Sequence, residues 1–175
     1  DTATLSIVDT LPLAEDPRPP IIQQGERLFL TSRPDQLARD NWIACASCHF
    51  DAGFDGQTWL GATGGPRNTP SLRGITDTEP LHWSADRPNV QSFEETFTGL
   101  MAGTGPSEAE MDALAAYLKG LNPLPSTERG GDAELKPLAI RGAGVFQRAG
   151  CVACHAPPLF TDRELHDVGT GELFY

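Results

Sequence analysis

All four cysteines of this 175-residue chain lie in two five-residue frames, and a histidine closes each frame. The first frame is CASCH at residues 45–49, and the second is CVACH at residues 151–155. Two cysteines at this spacing lie on one side of a helical turn, where both thiols can form thioether bonds to the two vinyl groups of one porphyrin. The histidine that follows can bind the iron as its proximal ligand. One short turn would therefore supply both covalent attachment and iron ligation.

Other uses of paired cysteines explain the two frames less well. A zinc site could use both pairs, but it needs no histidine directly after each pair, and about a hundred residues separate the frames, which is far from the usual spacing. A redox-active dithiol is an alternative for one frame, and two ordinary disulfides would be strained across so short a loop. The sequence therefore predicts two covalently bound c-type haems. The residues predicted to hold them are Cys45, Cys48, His49, Cys151, Cys154 and His155.

The composition is typical of a chain that folds around a large apolar cofactor. The sequence contains 18 glycines and 15 prolines, and aromatic residues make up only 7% of it. This predicts a loop-rich protein with a thin core of its own, to which a porphyrin would add apolar surface.

The net charge and the N-terminal residues bear on partners and location. The formal charge of -11 argues against a nucleic-acid surface and favours a redox protein partner that is basic. No apolar run approaches the roughly 18 residues of a membrane span, and the N-terminus lacks signal-peptide features, which predicts a mature or excised chain. Because c-type haem is attached outside the cytoplasmic membrane, we expect a periplasmic or extracellular protein.

Two predicted helices precede the two frames and resemble each other. The first is IIQQGERLFL, starting at Ile21, and the second lies in LAIRGAGVFQRAG. QGERLF in the first matches RGAGVF in the second, and in each a glycine, Gly25 or Gly142, comes four residues before a phenylalanine, Phe29 or Phe146. This weak internal repeat predicts two successive modules of one design.

The clearest predicted helix lies between the frames, in SEAEMDALAAYLKGLNP. Ser107 and Glu110 form a capping box at its start, and Gly120, Asn122 and Pro123 end it. Its apolar residues recur at helical spacing; they are Met111, Leu114, Ala115, Leu118 and Leu121. One helix before a haem frame and another after it resemble the layout of a class I cytochrome c domain, so the first module is predicted to close here.

These elements predict a mainly α fold with two cytochrome c-like haem domains in tandem. The first domain would span residues 21–125, and the second would start in residues 126–175. Only 20 residues follow His155, and none of them forms a comparable amphipathic helix, so the second domain is expected to be incomplete. Either an unusual partner covers the second haem, or the chain is a fragment whose remainder lies downstream.

The N-terminal residues 1–20 are predicted to form one strand and a linker. Leu5 and Ile7 alternate with polar neighbours, and a proline-rich stretch follows them. With no partner strand nearby in the sequence, this strand is expected to belong either to an upstream domain, as its tail, or to the edge of a sheet.

Several residues are candidates for the sixth, distal ligand of each iron. For the first haem these are Met101, in the glycine-flanked loop GLMAGTG, and His82. Met111 is expected to be a core residue, because it lies on the apolar face of its helix. His166, 11 residues after His155, is the candidate for the second haem. A thioether ligand raises the reduction potential of the iron, whereas a second histidine lowers it.

The motifs around the frames are more specific than the frames themselves. The stretches QGERLF, CASCHFDAGFDGQTW, PRNTPSLRGI, LHWSADR and SFEETF resemble the N-terminal haem domain of the dihaem cytochrome c peroxidase and MauG superfamily. The second frame with PPLFTDRELHDVGTG resembles the start of its C-terminal haem domain. The resemblance covers about residues 21–170 and implies that the chain continues, with its own remainder or another subunit completing the second site.

The resemblance also implies roles for individual residues. A tryptophan placed like Trp83 lies between the two haems of the superfamily and is thought to help electrons cross; packing on a porphyrin is the alternative. Peroxidatic members carry a distal histidine soon after the first frame, but residues 50–70 contain none, and Leu100 replaces a glutamate beside Met101. Glu94 and Glu95 are expected to be solvated helix residues. We therefore expect electron transfer between two haems and a redox partner, with peroxide reduction or a MauG-like oxidation as the alternative.

Overall fold

The computed structural model describes most of the chain. The described residues are 6–9, 11, 14–33, 35–60, 65–126 and 136–169. The fold is mainly α-helical, as predicted, and its helices are α1 (Pro20–Leu30), α2 (Cys45–Cys48), α3 (Glu94–Thr98), α4 (Glu108–Lys119) and α5 (Pro137–Arg148). Short 3-10 turns lie at Arg39–Asn41, Phe50–Ala52, Ile75–Asp77, Val90–Phe93 and Cys151–Ala153. Loops connect them, as the glycine and proline content predicts.

The single sheet among the described residues is a small antiparallel hairpin. Its strands are β1 (Thr58–Trp59) and β2 (Arg67–Asn68), with Thr58 opposite Asn68 and Trp59 opposite Arg67. The hairpin follows the first cysteine frame along the chain and leads into the loop that reaches back to it.

Helices α1 and α4 cross at very close range, and this contact organises the first module. A Cβ atom at Gly25 would overlap the backbone carbonyl of Ala113 and lie 2.7 Å from Cβ of Tyr117. Only glycine allows the two backbones to approach this closely. One turn later Phe29, which is 2% exposed, packs on the Tyr117 ring with the centroids 5.5 Å apart.

Helix α4 begins and ends as its sequence predicts. The Ser107 hydroxyl accepts a hydrogen bond from the Glu110 backbone N–H, while the Glu110 carboxylate accepts one from the Ser107 N–H at 2.8 Å. These bonds satisfy backbone donors that have no partner within the helix. The inner face buries Met111, Leu114 and Leu118. The three helices predicted from sequence are thus present as α1, α4 and α5.

The buried core belongs to the first module. Every buried hydrophobic side chain among the described residues lies between Phe29 and Leu118. Residues 136–169 contain no buried position, and α5 leaves Leu138 and Val145 exposed. The predicted division near residue 125 falls between α4 and α5, beside residues that the structure does not describe, and it stays a prediction.

The strand predicted near the N-terminus does not form in the part that is described. Residues 6–9 have no regular structure, Ile7 is 86% exposed, and Leu5 lies outside the described residues. A strand needs a paired strand beside it, and no sheet or β-bridge among the described residues includes this segment. Separately, no described helix is both long enough and apolar enough to cross a membrane.

Replacing Gly25 with alanine tests the importance of the helix crossing. We expect Gly25→Ala to lower the free energy of unfolding of the haem-loaded protein by about 1–3 kcal/mol, because the backbones must separate. Chemical denaturation followed by far-UV circular dichroism measures this. Gly142→Ala in α5 is the control, since this glycine is exposed and a Cβ atom there would meet no described atom within 4 Å. Equal stability of the two variants would contradict the prediction.

The capping box of α4 predicts a pH-dependent contribution to stability. Hydrogen bonds from Ser107 and from the Gln36 amide hold the pKa of Glu110 below its usual value of 4.5. A carboxyl group with a lowered folded-state pKa stabilises the fold above its unfolded pKa, and this contribution is lost as the pH falls through the folded pKa.

We therefore expect Glu110→Gln to lower the free energy of unfolding by about 1 kcal/mol at pH 7. The difference from the parent protein should disappear as the pH falls below 4.5 and through the lowered folded-state pKa of Glu110. Denaturation curves between pH 7 and pH 3 measure it. The matched control is Glu108→Gln, which removes a charge from the same helical turn but no capping bond; an equal loss in both variants would assign the effect to the helix dipole instead.

Candidate haem-binding sites

The first cysteine frame forms a single helical turn. Cys45 and Cys48 are the first and last residues of α2, and the His49 backbone N–H closes the turn on the Cys45 carbonyl at 3.0 Å. All four cysteines of the chain are free thiols. Burial raises the pKa of Cys45 to about 11 and also raises that of Cys48, so the cysteines at the two ends of this turn are neutral thiols.

The imidazole of His49 is held so that one nitrogen faces away from the backbone. Its Nδ1 lies 3.0 Å from the Pro70 carbonyl and 3.3 Å from the Gly53 carbonyl. A carbonyl oxygen can only accept, so Nδ1 carries the proton and Nε2 keeps its lone pair for a metal. Burial lowers the pKa of His49, which favours the neutral imidazole that a metal requires.

A network behind the hairpin fixes the Pro70 carbonyl. The hydroxyl of Thr69, which is 8% exposed, accepts a hydrogen bond from Trp59 Nε1 at 3.0 Å. The Leu72 backbone N–H donates to the Ala52 carbonyl at 2.8 Å and ties the same loop to the turn after His49. The loop is thereby anchored on both sides of the carbonyl that orients the histidine. Such outer partners of a metal-binding histidine set its orientation and its basicity.

The second frame also forms a short turn, and a backbone carbonyl again binds the histidine that follows it. The turn Cys151–Ala153 is followed by His155, whose N–H donates to the Cys151 carbonyl at 2.9 Å. His155 Nδ1 lies 3.0 Å from the Phe160 carbonyl, so here too Nε2 keeps its lone pair. Phe146 of α5 packs near both residues, 6.4 Å from the His155 ring and 6.0 Å from the Phe160 ring.

Met101 lies close to the first frame and is 7% exposed. Its carbonyl accepts hydrogen bonds from the Arg39 N–H at 3.1 Å and from Trp42 Nε1 at 3.2 Å. These bonds tie the methionine loop to the segment that leads into α2. Cys45 packs against the buried cluster that contains Met101 and Met111, and Met111 is 3% exposed.

The candidate histidine ligands are both engaged by a carboxylate. His82, whose φ is 76°, places Nδ1 2.8 Å from the Asp86 carboxylate, and this contact lowers the pKa of Asp86. His166 places Nε2 2.7 Å from Asp162. The ligand atoms of His166, Asp162 and Cys154 all lie within 4.8 Å of one another, so the structure brings His166 to the second cysteine frame.

Comparison with known proteins identifies the family. Residues 22–122, more than half of the chain, match the cytochrome c family. The chain belongs to the cytochrome c family. Its fold class, mainly α and cytochrome c-like, is thereby confirmed, whereas the tandem arrangement stays a prediction.

Curated relatives extend the similarity beyond the family match. Hydrazine synthase subunit gamma of Kuenenia stuttgartiensis is 29% identical over an alignment of 153 positions, which covers 74% of this cytochrome and 43% of the relative. Methylamine utilization protein MauG of Methylophilus methylotrophus is 25% identical over 186 positions, covering 83% of this cytochrome and 55% of MauG. The chain thus spans about half the length of the curated relatives it matches.

Solved structures give the same assignment of the fold. A hydrazine synthase structure from Kuenenia stuttgartiensis matches with a TM-score of 0.78 at 20% identity, over 94% of this cytochrome and 66% of that chain. A MauG-like protein associated with microbial copper homeostasis matches with a TM-score of 0.64 at 22% identity. The match covers 89% of this cytochrome and 54% of that chain. Together these relatives confirm the resemblance to the dihaem peroxidase and MauG superfamily.

The residues around the first frame of this cytochrome fit the chemistry of a c-type haem. Large exposed apolar side chains surround the frame in sequence, as a flat apolar macrocycle requires: Trp42, Phe50, Phe54, Trp59 and Leu60. Arg87 Nε is buried and has no hydrogen-bond partner among the described residues; the nearest carboxylate, that of Asp86, lies 4.0 Å from it. A haem carries propionate carboxylates, and a carboxylate is the acceptor that such a guanidinium donor favours.

The second frame offers a similar setting. Exposed apolar side chains flank it on α5 and in the following loop: Leu138, Val145, Leu159, Phe160, Leu165 and Val168. Together with the fixed His155, they fit an apolar macrocycle bound at Cys151 and Cys154.

Some residues of the sites could not be recognised from sequence. The carbonyl groups of Pro70, Gly53 and Phe160 orient the two histidines, yet backbone atoms leave no signature in residue type. The only signal is indirect, since Pro70 lies in the NTPSLRG motif. Arg87 was part of the recognised LHWSADR motif, but only the structure shows its buried donor.

Removing one pair of cysteines at a time tests whether each frame holds a haem. We expect the parent protein to carry the mass of two covalently bound haems, and Cys151→Ala with Cys154→Ala to carry one. Cys45→Ala with Cys48→Ala should keep the other haem, because each frame has its own proximal histidine. Intact-protein mass spectrometry measures this, and a parent protein with a single haem would show that only one frame is used.

Proposed function

We propose that this cytochrome is an electron-transfer protein with two covalently bound c-type haems. The haems would pass single electrons between each other and a redox protein partner. The observation that carries the proposal is the repeated histidine geometry: at both frames a backbone carbonyl fixes Nδ1, and Nε2 keeps its lone pair beside two free thiols. This is the arrangement that a proximal haem ligand needs.

A bound c-type haem supplies a one-electron iron couple whose potential depends on its axial ligands. The residues of the chain would hold and tune it. His49 and His155 would bind the iron, and the hydrogen bonds from their Nδ1 atoms to carbonyl oxygens would raise the basicity of the imidazoles. The fixed loops would limit rearrangement when the iron changes charge.

Met101 is our proposal for the distal ligand of the first haem. It is nearly buried, and its loop is bonded to the segment that precedes α2. Met111 also lies in the buried cluster, but it belongs to the inner face of α4, in agreement with a core role. His82, with Nδ1 bound to Asp86, keeps Nε2 available and remains the alternative ligand.

Two further residues have proposed roles between and beside the haems. Trp83 is 51% exposed, and its Nε1 donates to the Asn68 carbonyl at 2.8 Å, which fixes the ring. We assign it to electron passage between the haems. His166 is the candidate distal ligand of the second haem through Nδ1, because its Nε2 is bound to Asp162.

The surroundings of Met101 support electron transfer over peroxide chemistry. Leu100 is 75% exposed, and Glu95 is an exposed residue paired with Arg87 at 3.0 Å. A peroxidase needs an acid-base group at an open iron position, and a methionine ligand would fill that position. A peroxidase-like or MauG-like oxidant is the second candidate function, favoured by the similarity to MauG.

The partner and the location follow from charge and from the relatives. The formal charge of -11 would attract a basic redox protein. One relative is named as a subunit, so a second subunit or a further portion of the polypeptide is proposed to complete the second site. Because c-type haem is attached outside the cytoplasmic membrane, we place the protein in the periplasm or outside the cell.

Substitution of the two methionines tests the distal ligand. A thioether bound to ferric haem gives a weak long-wavelength absorption band. We expect Met101→Ala to abolish this band, and Met111→Leu to keep it although it changes an equally buried methionine. Absorption spectra of the oxidised proteins decide this. If Met111→Leu removed the band and Met101→Ala kept it, the assignment would be wrong.

Reaction with hydrogen peroxide separates the two candidate functions. An electron-transfer protein with two filled axial positions should show low-spin ferric haem in both the oxidised and the half-reduced state, and peroxide should leave its spectrum unchanged over minutes. A high-spin ferric signal in electron paramagnetic resonance, together with a prompt spectral change on peroxide addition, would favour the peroxidase instead.

A further inference from the structure

The loop that carries Met101 lies against the residues that lead into the first cysteine frame. The two stretches are called here the methionine loop, residues 99–105, and the entry segment, residues 36–44. A Cβ atom at Gly103 would overlap the backbone carbonyl of Gln36. Only glycine allows the two backbones to approach this closely, so the methionine loop follows the entry segment at contact distance.

The backbone N–H and carbonyl of Met101 both have hydrogen-bond partners. The N–H donates to the Thr96 carbonyl at 3.0 Å, and the carbonyl accepts from the Arg39 N–H at 3.1 Å and from Trp42 Nε1 at 3.2 Å. A carbonyl oxygen has two lone pairs, so both are in use. Ala102 follows with a positive φ of 53°, a strained conformation that persists only where the surroundings fix it. The backbone of Met101 is therefore held in one position.

Of these three bonds, only the bond from Trp42 is made by a side chain. The indole is 58% exposed, so it adds little to the buried core. Trp42 also lies three residues before Cys45, the residue at which the first covalent bond to a porphyrin would form. The indole thus links the Met101 backbone to the stretch of chain that leads directly into the attachment turn.

The strength of a methionine–iron bond depends on how the chain holds the methionine. A thioether ligand favours ferrous iron, so its bond to ferric iron is the weaker of the two. A ligand that is already held in its bound conformation loses less entropy on binding than a mobile one. Fixing the Met101 backbone would therefore strengthen its bond to the ferric iron, and other iron ligands would compete with it less well.

We propose that Trp42 is a positioning residue that keeps Met101 bound to the iron of the first haem. The indole N–H acts through the Met101 carbonyl and holds the methionine loop against the entry segment. Trp42 thereby determines how easily small external ligands reach the sixth position of this iron. This role rests on the proposed function, because it takes Met101 as the distal ligand, and it adds the residue that secures that ligand.

Competition by imidazole in the oxidised, haem-loaded protein tests this role. Imidazole displaces a thioether from ferric haem, and loss of the long-wavelength thioether band measures the displacement. Trp42→Phe keeps an aromatic ring but removes the donor to the Met101 carbonyl. One hydrogen bond of ordinary strength changes an equilibrium by about fivefold to tenfold. Half-displacement in Trp42→Phe should therefore need about fivefold to tenfold less imidazole than in the parent protein.

Two control variants separate positioning from general effects. Asp40→Asn changes an exposed side chain of the entry segment and keeps a residue type that tolerates the positive φ of this position. Gly25→Ala lowers the stability of the fold at the crossing of α1 and α4, where no residue of the methionine loop lies against the glycine. The imidazole midpoints of both controls should match that of the parent. Far-UV circular dichroism and denaturation curves report the fold and stability of each variant.

The outcomes distinguish the role of Trp42 from the assignment of the ligand. A parent protein without the long-wavelength band would overturn both, because Met101 would then not bind the iron. A band in every variant, with equal imidazole midpoints in Trp42→Phe and the parent, would overturn the role of Trp42 alone. An equal decrease of the midpoint in Trp42→Phe and Gly25→Ala would also overturn it, because the effect would then come from a less stable fold.

Discussion

The hydrogen bond from His49 Nδ1 to the Pro70 carbonyl is the interaction on which the first site depends. It selects the tautomer, aims Nε2 away from the backbone and joins two loops that are 21 residues apart in sequence. The chain must turn sharply around it, and Asp51 and Ala52, two and three residues after the histidine, adopt positive φ angles of 50° and 58°. Such strained positions persist only where the surroundings fix them, which the hairpin network and the Leu72–Ala52 bond do here.

The histidine of the second frame makes the same kind of hydrogen bond, but no buried helix contact among the described residues supports it. His155 bonds to the Phe160 carbonyl, only five residues later, so a local turn replaces the long-range loop. The first site is supported by the buried contact between α1 and α4, whereas α5 contributes no buried residue among those described. The two sites therefore share the chemistry of the proximal ligand but differ in what stabilises it.

The sequence predicted those features that depend on residue type and period. The cysteine frames, the amphipathic pattern of α4 and its Ser107–Glu110 cap are of this kind, and each appears where expected. Features made by backbone atoms were not predictable: the carbonyl of Pro70 that orients His49, and the Ala113 carbonyl that requires glycine at residue 25. No strand is present in the described residues 6–9 around Ile7, because alternation alone does not supply a pairing strand.

The contrast between Gly25 and Gly142 links folding to the cofactor in the second module. A helix with an exposed apolar stripe and an interior glycine has little stability of its own. Covalent attachment at Cys151 and Cys154 would hold an apolar macrocycle beside this module, and the exposed side chains of Leu138 and Val145 could pack on it. Burying these two side chains would remove apolar surface from water at about 25 cal/mol per Å², and it would also restrain Phe146, whose ring lies 6.4 Å from the His155 ring. The stability of α5 and the rigidity of the second iron site are thus expected to be coupled through this single aromatic side chain.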